Sequence, residues 1–149
     1  MDKIFQHKTA IVTGAGIGIG FEIARRLALQ GASVLLNDID DALAQNAARL
    51  IQNEKGICRP IAGDSSDVDF IQKMVETAVE YFGGLDIAVA NAGITTFGSF
   101  LEYQPDDFKR LISVNLQGSF FLAQAAARQM IVEKKEGRIL FMSSVTGHQ

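Results

Sequence analysis

The segment Thr9–Gly20 reads TAIVTGAGIGIG, so an apolar run passes directly into a turn that contains four glycines. The run Thr9–Val12 has no polar alternation, which is typical of a strand buried on both faces of a parallel sheet. From Gly20 onward, apolar residues recur at helical spacing until Gly31, a residue suited to end a helix. The segment therefore predicts a strand, a glycine turn and a helix, the first unit of an α/β fold.

The same alternation continues to the end of the chain. Further apolar runs lie at Ser33–Leu36, Ile57–Ile61, Ile87–Ala90 and Arg138–Met142. Helical patterns begin at Asp40, at Ser66, where Asp69 resembles the second half of a capping box, and at Pro105, from which the last helix should run to about Lys134. We predict one α/β domain over residues 1–149. It is a Rossmann-type, doubly wound parallel sheet in three α/β/α layers, truncated after its fifth strand.

Composition excludes several classes of function. The 149 residues are 48% hydrophobic and 21% charged with a net charge of −3, which indicates a globular protein without an electrostatic footprint for nucleic acid or anionic membranes. Cys58 is the one cysteine, and His7 and His148 lack ligand spacing, so we predict no disulfide and no metal site. Because the N-terminus is too polar for a signal peptide and no apolar run is long enough to span a bilayer, we expect a cytoplasmic protein.

The glycine turn predicts a phosphate site. Glycines allow a sharp turn and a close approach to a diphosphate, while the free N–H groups at the start of the helix face the phosphates. The alternative is an ordinary structural turn, but the strand before it and the helix after it favour binding. The candidate cofactor-binding residues here are Thr13, Gly14, Gly16, Ile17, Gly18, Ile19 and Gly20.

Four motifs in this order make the chain resemble the short-chain dehydrogenase/reductase family over essentially its whole length. They are Thr13-Gly14-x-x-x-Gly18-x-Gly20, Asn91-Ala92-Gly93, Asn115 within Val114–Gly118, and Ser143-Ser144. The resemblance implies an NAD(P)-dependent oxidoreductase that transfers a hydride between nicotinamide and a small alcohol or ketone. It also implies catalytic roles for Ser144 and Asn115. Further cofactor contacts are implied for Asn91, Ala92, Gly93, Val114 and Ser143.

The residue at the end of the second strand favours NAD over NADP. Asp38 lies 18 residues beyond Gly20, where a carboxylate can accept hydrogen bonds from the ribose hydroxyls. A 2′-phosphate would meet a like charge there, and neither Ile39, a further cofactor-binding candidate, nor the other neighbours supply a compensating base. The alternative is that Asp38 only caps the next helix, although Asp40 is better placed to do so.

For three further sets of candidate site residues, a purely structural interpretation stands beside the functional one. The resemblance implies that Asp64 and Ser65 contact adenine, but Gly63–Ser66 is also a favourable turn sequence. Asn115 should face the sheet, and the alternative to its catalytic role is that it only bonds backbone nearby. Ser144 could be an ordinary serine in a turn that ends a strand.

The family's Tyr-x-x-x-Lys pair is absent from the sequence. Tyr81 and Tyr103 are the two tyrosines, and the residues four positions later are Leu85 and Asp107. In the family this pair follows the serine segment, and the sequence stops at Gln149. We therefore expect the cofactor-binding part of a longer enzyme. We expect the 149-residue chain alone to be inactive, and to be unstable, to aggregate through the edge of its fifth strand, or to need a second segment. The alternatives are a catalytically inactive dinucleotide-binding module or regulatory protein, and a domain for another nucleotide or a methyl donor.

The resemblance also implies a homo-oligomer, a dimer or tetramer, in the full-length form. The side of the last helix implied to pack on a partner carries Phe120, Phe121, Ala125 and Ala126. The identity of the substrate is not set by this sequence.

Overall fold

The computed structural model of the protein describes residues 3–144, in which strands and helices alternate as predicted. The strands are β1 (Thr9–Val12), β2 (Ser33–Asp38), β3 (Ile57–Ala62), β4 (Ile87–Ala90) and β5 (Arg138–Phe141). The helices are α1 (Gly18–Leu29), α2 (Asp41–Asn53), α3 (Val68–Phe82), α4 (Pro105–Ile112) and α5 (Ser119–Val132). A π-helical segment, Ser113–Gly118, joins α4 to α5. His148 lies outside the described residues.

The strands form one parallel sheet in the order β3-β2-β1-β4-β5. The chain moves outward from β1 to β3 and then crosses back to place β4 on the other side of β1. This order confirms the doubly wound prediction. It also creates a switch point between β1 and β4, and folds of this type bind ligands outside the carboxyl ends of the strands at such a point.

Two apolar cores cover the two faces of the sheet. On one face, Val12 and Leu36 pack with alanines and Ile51 from α1 and α2. On the other, Ile11 and Leu35 pack with residues of α3 and α5. Successive strand residues thus enter opposite cores, which explains the absence of polar alternation in the sequence and confirms the three layers.

The start of α3 differs from the prediction. Its N-cap is Asp67, whose carboxylate accepts hydrogen bonds from the amides of Asp69 at 2.9 Å and Phe70 at 3.3 Å. The proposed capping box of Ser66 and Asp69 is therefore wrong. A carboxylate in the cap position accepts from the free N–H groups of the first turn more directly than the predicted pair could.

The last helix also differs from the prediction. The predicted helix from Pro105 to Lys134 is interrupted by the π-helical segment and ends at Val132. Its predicted outer face is partly wrong too, because Ala126 is fully buried against the sheet, and Phe121 and Ala125 are partly buried against the same core. Phe120 remains 57% exposed. No helix in the part of the chain that the structure describes is long and apolar enough to cross a membrane.

Strand β5 lies at an edge of the described sheet and pairs with β4. Its side chains Leu140 and Phe141 are 47% and 59% exposed. This exposure is what the expected association through the edge requires, and the association itself stays a prediction.

Candidate cofactor-binding site

A crevice of about 560 Å³ lies across the carboxyl ends of the strands, at the switch point of the sheet. This volume falls within the range of small-molecule sites. The lining residues come from the glycine turn, the tip of β2, the turn after β3, the loop after β4, and the helical segment beyond it. They are Gly14, Ile17, Asp38, Ile39, Asp64, Ser66, Asn91, Ala92, Gly93, Ile94, Arg110, Ser113 and Val114.

Two glycines of the turn are required for different reasons. Gly14 has φ +60°, and a Cβ there would lie 2.8 Å from the Cα of Ala92. Gly18 has φ +64° at the first position of α1, and a Cβ there would meet no atom within 4 Å. Gly14 therefore allows close packing on the loop after β4, while the backbone at Gly18 faces open space that a ligand can occupy.

Thr13 and Asn91 fasten the glycine turn to the loop after β4. The Thr13 hydroxyl accepts hydrogen bonds from the amides of Asn91 and Ala92, each at 3.1 Å. The Asn91 side-chain amide donates to the carbonyls of Thr13 at 2.9 Å and Gly14 at 3.0 Å. A Cβ at Gly20 would overlap that amide nitrogen. These contacts hold the middle of the crevice rigid across β1 and β4.

Asp38 lies beside the glycine turn, as predicted, and is 9% exposed. Its Oδ2 accepts from the Gly16 amide at 2.9 Å and its Oδ1 from the Asp40 amide at 3.1 Å. A Cβ at Gly16 would lie 2.7 Å from Oδ2, so a glycine is needed there. The N-cap of α2 is Asp40, which accepts from the Leu43 amide at 3.0 Å. Asp38 is therefore not the helix cap, and two amides fix its carboxylate at the crevice.

The turn after β3 forms the far wall of the crevice. Asp64 lines the crevice, and its Oδ1 also accepts from the amide and hydroxyl of Ser66, each at 2.8 Å. The π-helical segment packs against this turn: Gln117 donates to the Ser66 carbonyl at 2.9 Å, and a Cβ at Gly118 would lie 2.5 Å from the Ser65 carbonyl oxygen. The turn chemistry that we considered for Asp64 is thus present alongside its position at the crevice.

The prediction that Asn115 faces the sheet is wrong, because the residue is exposed. Its Oδ1 accepts from the Ile94 amide at 2.8 Å and its Nδ2 donates to the Ile94 carbonyl at 2.9 Å. The stripe that placed it inward assumed 3.6 residues per turn, whereas a π-helix bonds each residue to the fifth along and so rotates the later side chains. The bond to nearby backbone that we considered is thus present, and the catalytic role of Asn115 stays a prediction.

The crevice brings together about half of the residues that the sequence nominated. Those outside its lining are Thr13, Gly16, Gly18, Ile19, Gly20, Ser65, Asn115, Ser143 and Ser144. The two serines are exposed and follow β5, where the Met142 amide donates to the Ala90 carbonyl at 3.1 Å, so they lie at the same sheet edge as Asn91.

Four residues that line the crevice were not predicted from the sequence: Ser66, Ile94, Arg110 and Ser113. Arg110 precedes the nominated Val114 by one helical turn. That spacing was the available signal, because residues four apart share a helix face.

Comparison with known proteins identifies the family. A sequence model described as short chain dehydrogenase matches residues 8–149. A short-chain dehydrogenase/reductase of Armillaria gallica is 41% identical in an alignment that covers 97% of this chain and 56% of that protein. The chain therefore belongs to the short-chain dehydrogenase family. It spans about half the length of the curated relatives that it matches.

Solved structures agree with this assignment. A short-chain type dehydrogenase/reductase from Mycobacterium marinum superimposes with a TM-score of 0.95 at 34% identity, covering 99% of this chain and 60% of that one. The structure of an NAD⁺-bound xylitol dehydrogenase superimposes with a TM-score of 0.91 at 31% identity, covering 98% and 56%. The described residues thus have the fold of this family of oxidoreductases.

Proposed function

We propose that the protein is an NAD(H)-preferring oxidoreductase that interconverts a small alcohol and its ketone. The observation that carries this proposal is the carboxylate of Asp38, fixed at the crevice by the amides of Gly16 and Asp40. A fixed anion accepts hydrogen bonds from both ribose hydroxyls and repels a 2′-phosphate. The flanking Ile17 and Ile39 also line the crevice and carry no charge that could balance such a phosphate.

The residues present fit a dinucleotide. The amides at the start of α1 would bind the diphosphate, because the backbone at Gly18 faces open space. Asp64 and Ser65 would contact the adenine, and Val114 would pack against it. The loop Asn91–Gly93 would support the nicotinamide half. The bound nicotinamide supplies the hydride exchange, and the chain must hold the substrate and move one proton.

Ser144 and Asn115 have the catalytic roles in this proposal. The Ser144 hydroxyl would donate a hydrogen bond to the substrate oxygen, with Ser143 beside it near the cofactor. Asn115 would act within the proton relay, while its side chain holds Ile94 at the crevice. The full-length form would be a cytoplasmic homo-oligomer.

The Asp38→Asn variant tests the cofactor preference, because it removes the charge while keeping the shape. We expect the ratio of NADP to NAD dissociation constants, measured by calorimetry, to fall about tenfold or more, equivalent to about 1.4 kcal/mol. The matched control is Asp41→Asn, an exposed acid in the first turn of α2, which should leave the ratio unchanged. An unchanged ratio in Asp38→Asn would contradict the proposed role.

A second candidate is a dinucleotide-binding protein without turnover. Within the described residues, the Tyr103 hydroxyl bonds Thr96, and the Tyr81 ring lies 3.5 Å from the Arg59 guanidinium carbon, so neither lines the crevice. NADH formation from an alcohol panel distinguishes the two candidates. The oxidoreductase should lose activity in Ser144→Ala, whereas a binding module should bind NAD without forming NADH.

A further inference from the structure

Arg110 is the one cation among the described residues that line the crevice. Its guanidinium makes no hydrogen bond or ion pair with any residue in the range 3–144. The two carboxylates of the crevice are held by other groups: Asp38 by backbone amides and Asp64 by Ser66. Within residues 3–144, the crevice therefore holds an arginine that has no counterion among its protein neighbours.

The position of Arg110 on its helix indicates the end of the crevice that it serves. Arg110 and Val114 are four residues apart and both line the crevice. Further along the π-helical segment, Gln117 and Gly118 contact the turn at Ser65 and Ser66. This part of the helix therefore stands beside the turn after β3, which the proposed function assigns to adenine.

We propose that Arg110 is a cofactor-binding residue whose guanidinium lies over the adenine ring, an inference that rests on the proposed function. A guanidinium is planar and weakly hydrated, and it stacks well on aromatic faces, nucleobases included. In the proposed function the diphosphate would face the glycine turn and the ribose would face Asp38, so neither of them is assigned to the end of the crevice beside Arg110. Asp64, Ser65 and Val114 would border the adenine at that end, and Arg110 adds a planar cation beside them.

Calorimetric titration of the full chain with NAD, AMP and nicotinamide mononucleotide tests this role. In Arg110→Ala we expect the affinities for NAD and AMP to fall about tenfold and the affinity for nicotinamide mononucleotide to stay unchanged. Arg110→Lys keeps the charge but loses the plane, so it should bind AMP several-fold more weakly than the unmodified chain. The matched control is Arg128→Ala, an exposed arginine on α5 that also lacks a hydrogen bond or ion pair with the described residues. It should bind all three ligands unchanged.

Two results would overturn the inference while leaving the proposed function intact. One is unchanged AMP affinity in Arg110→Ala when the unmodified chain binds NAD. The other, seen when NADP is titrated as a fourth ligand, is a loss of affinity confined to NADP, which would assign Arg110 to a 2′-phosphate instead of the ring. Failure of the unmodified chain to bind NAD at all would remove the proposed function, and the inference with it.

Discussion

Asp86 is a buried carboxylate at the amino ends of the strands, on the side of the sheet opposite the crevice, and its side chain is 7% exposed. Its Oδ2 accepts from the Thr9 amide at 2.9 Å, its Oδ1 accepts from Lys8 Nζ at 3.2 Å, and Lys135 Nζ lies 3.5 Å away. Burial raises the pKa of Asp86, but the hydrogen bonds from Thr9 and Lys8 and the charge of Lys135 outweigh it and hold the pKa below its usual value. The residue thus ties the starts of β1 and β4 to the end of α5.

The sign of this pKa shift predicts an acid-labile contribution to stability. Because the folded-state pKa is depressed, the stabilisation is present above the unfolded value near 3.9 and is lost as the pH falls through the folded pKa. We expect Asp86→Asn to lower the free energy of unfolding by about 1–3 kcal/mol at pH 7. The difference from the unmodified chain should shrink toward pH 2, as measured by urea unfolding across that range.

The control for this prediction is Asp106→Asn. Asp106 is 95% exposed in its ion pair with Lys109, so its loss should change stability by no more than about 1 kcal/mol. A deficit of Asp86→Asn that is as large at pH 2 as at pH 7 would show that packing, not charge, is responsible.

Sequence reasoning succeeded for single residues whose type is dictated by backbone geometry. Gly14 and Gly18 have positive φ values, and Asp38 ends a strand whose tip position follows from the apolar run before it. It missed Arg110, because an arginine on a helix is ordinarily a solvated charge. The spacing of four residues from Arg110 to Val114 was the one sequence signal, and the packing of Gln117 and Gly118 against the turn after β3 shows where this helix borders the crevice.

At the scale of elements, the π-helical segment Ser113–Gly118 shapes one wall of the crevice. It directs Asn115 to the backbone of Ile94 and Gln117 to the carbonyl of Ser66. These contacts lie on opposite sides of the helix, so one segment supports both the loop after β4 and the turn after β3. Such π segments often occur at functional sites.

Asn115→Ala is predicted to loosen the loop after β4. It removes both partners of the Ile94 backbone, and each hydrogen bond contributes about 1 kcal/mol. We expect amide exchange at Ile94 to accelerate about fivefold or more, with weaker NAD binding because Ala92, Gly93 and Ile94 line the crevice. Hydrogen exchange followed by NMR measures the first effect.

Gln117→Ala serves as the matched control, because it removes a side-chain bond from the same π-helical segment on the other side. It should leave exchange at Ile94 unchanged. Equal acceleration at Ile94 in both variants would mean that the segment unfolds as a whole, contrary to a specific role of Asn115.

The elements were predictable where burial sets the pattern. Strands β1 and β4 match the predicted bounds because both faces are covered, so every residue is apolar or small. The cap of α3 was not predictable, because Asp64, Asp67 and Asp69 can all accept from free amides, and only the backbone geometry selects Asp67. The π-helical interruption of the last helix was not predictable, because the pattern of apolar residues continues through Ser113–Gly118 without a break.

At the scale of the whole molecule, the crevice is lined by residues from both halves of the sheet. The glycine turn and Asp38 belong to the half that contains β1 and β2, whereas Asn91 and Val114 follow β4. The strand order was predictable only as a doubly wound class, because order depends on which side of β1 the chain returns to. Once that order exists, the switch point determines the place of the site.

A ligand that spans both halves should stabilise the molecule as one unit. At an NAD concentration 100 times the dissociation constant, mass action adds about 2.7 kcal/mol to the free energy of unfolding. For a chain of this length the corresponding rise in the melting temperature is about 5–10 °C. We expect NAD to produce that rise in a single transition and to slow amide exchange in both β2 and β4. Nicotinamide mononucleotide at the same concentration should have a smaller effect, because it lacks the adenosine that we propose to contact Asp38 and Asp64. Protection confined to the glycine turn would contradict this picture, since it would mean that the ligand binds one loop without joining the two halves of the sheet.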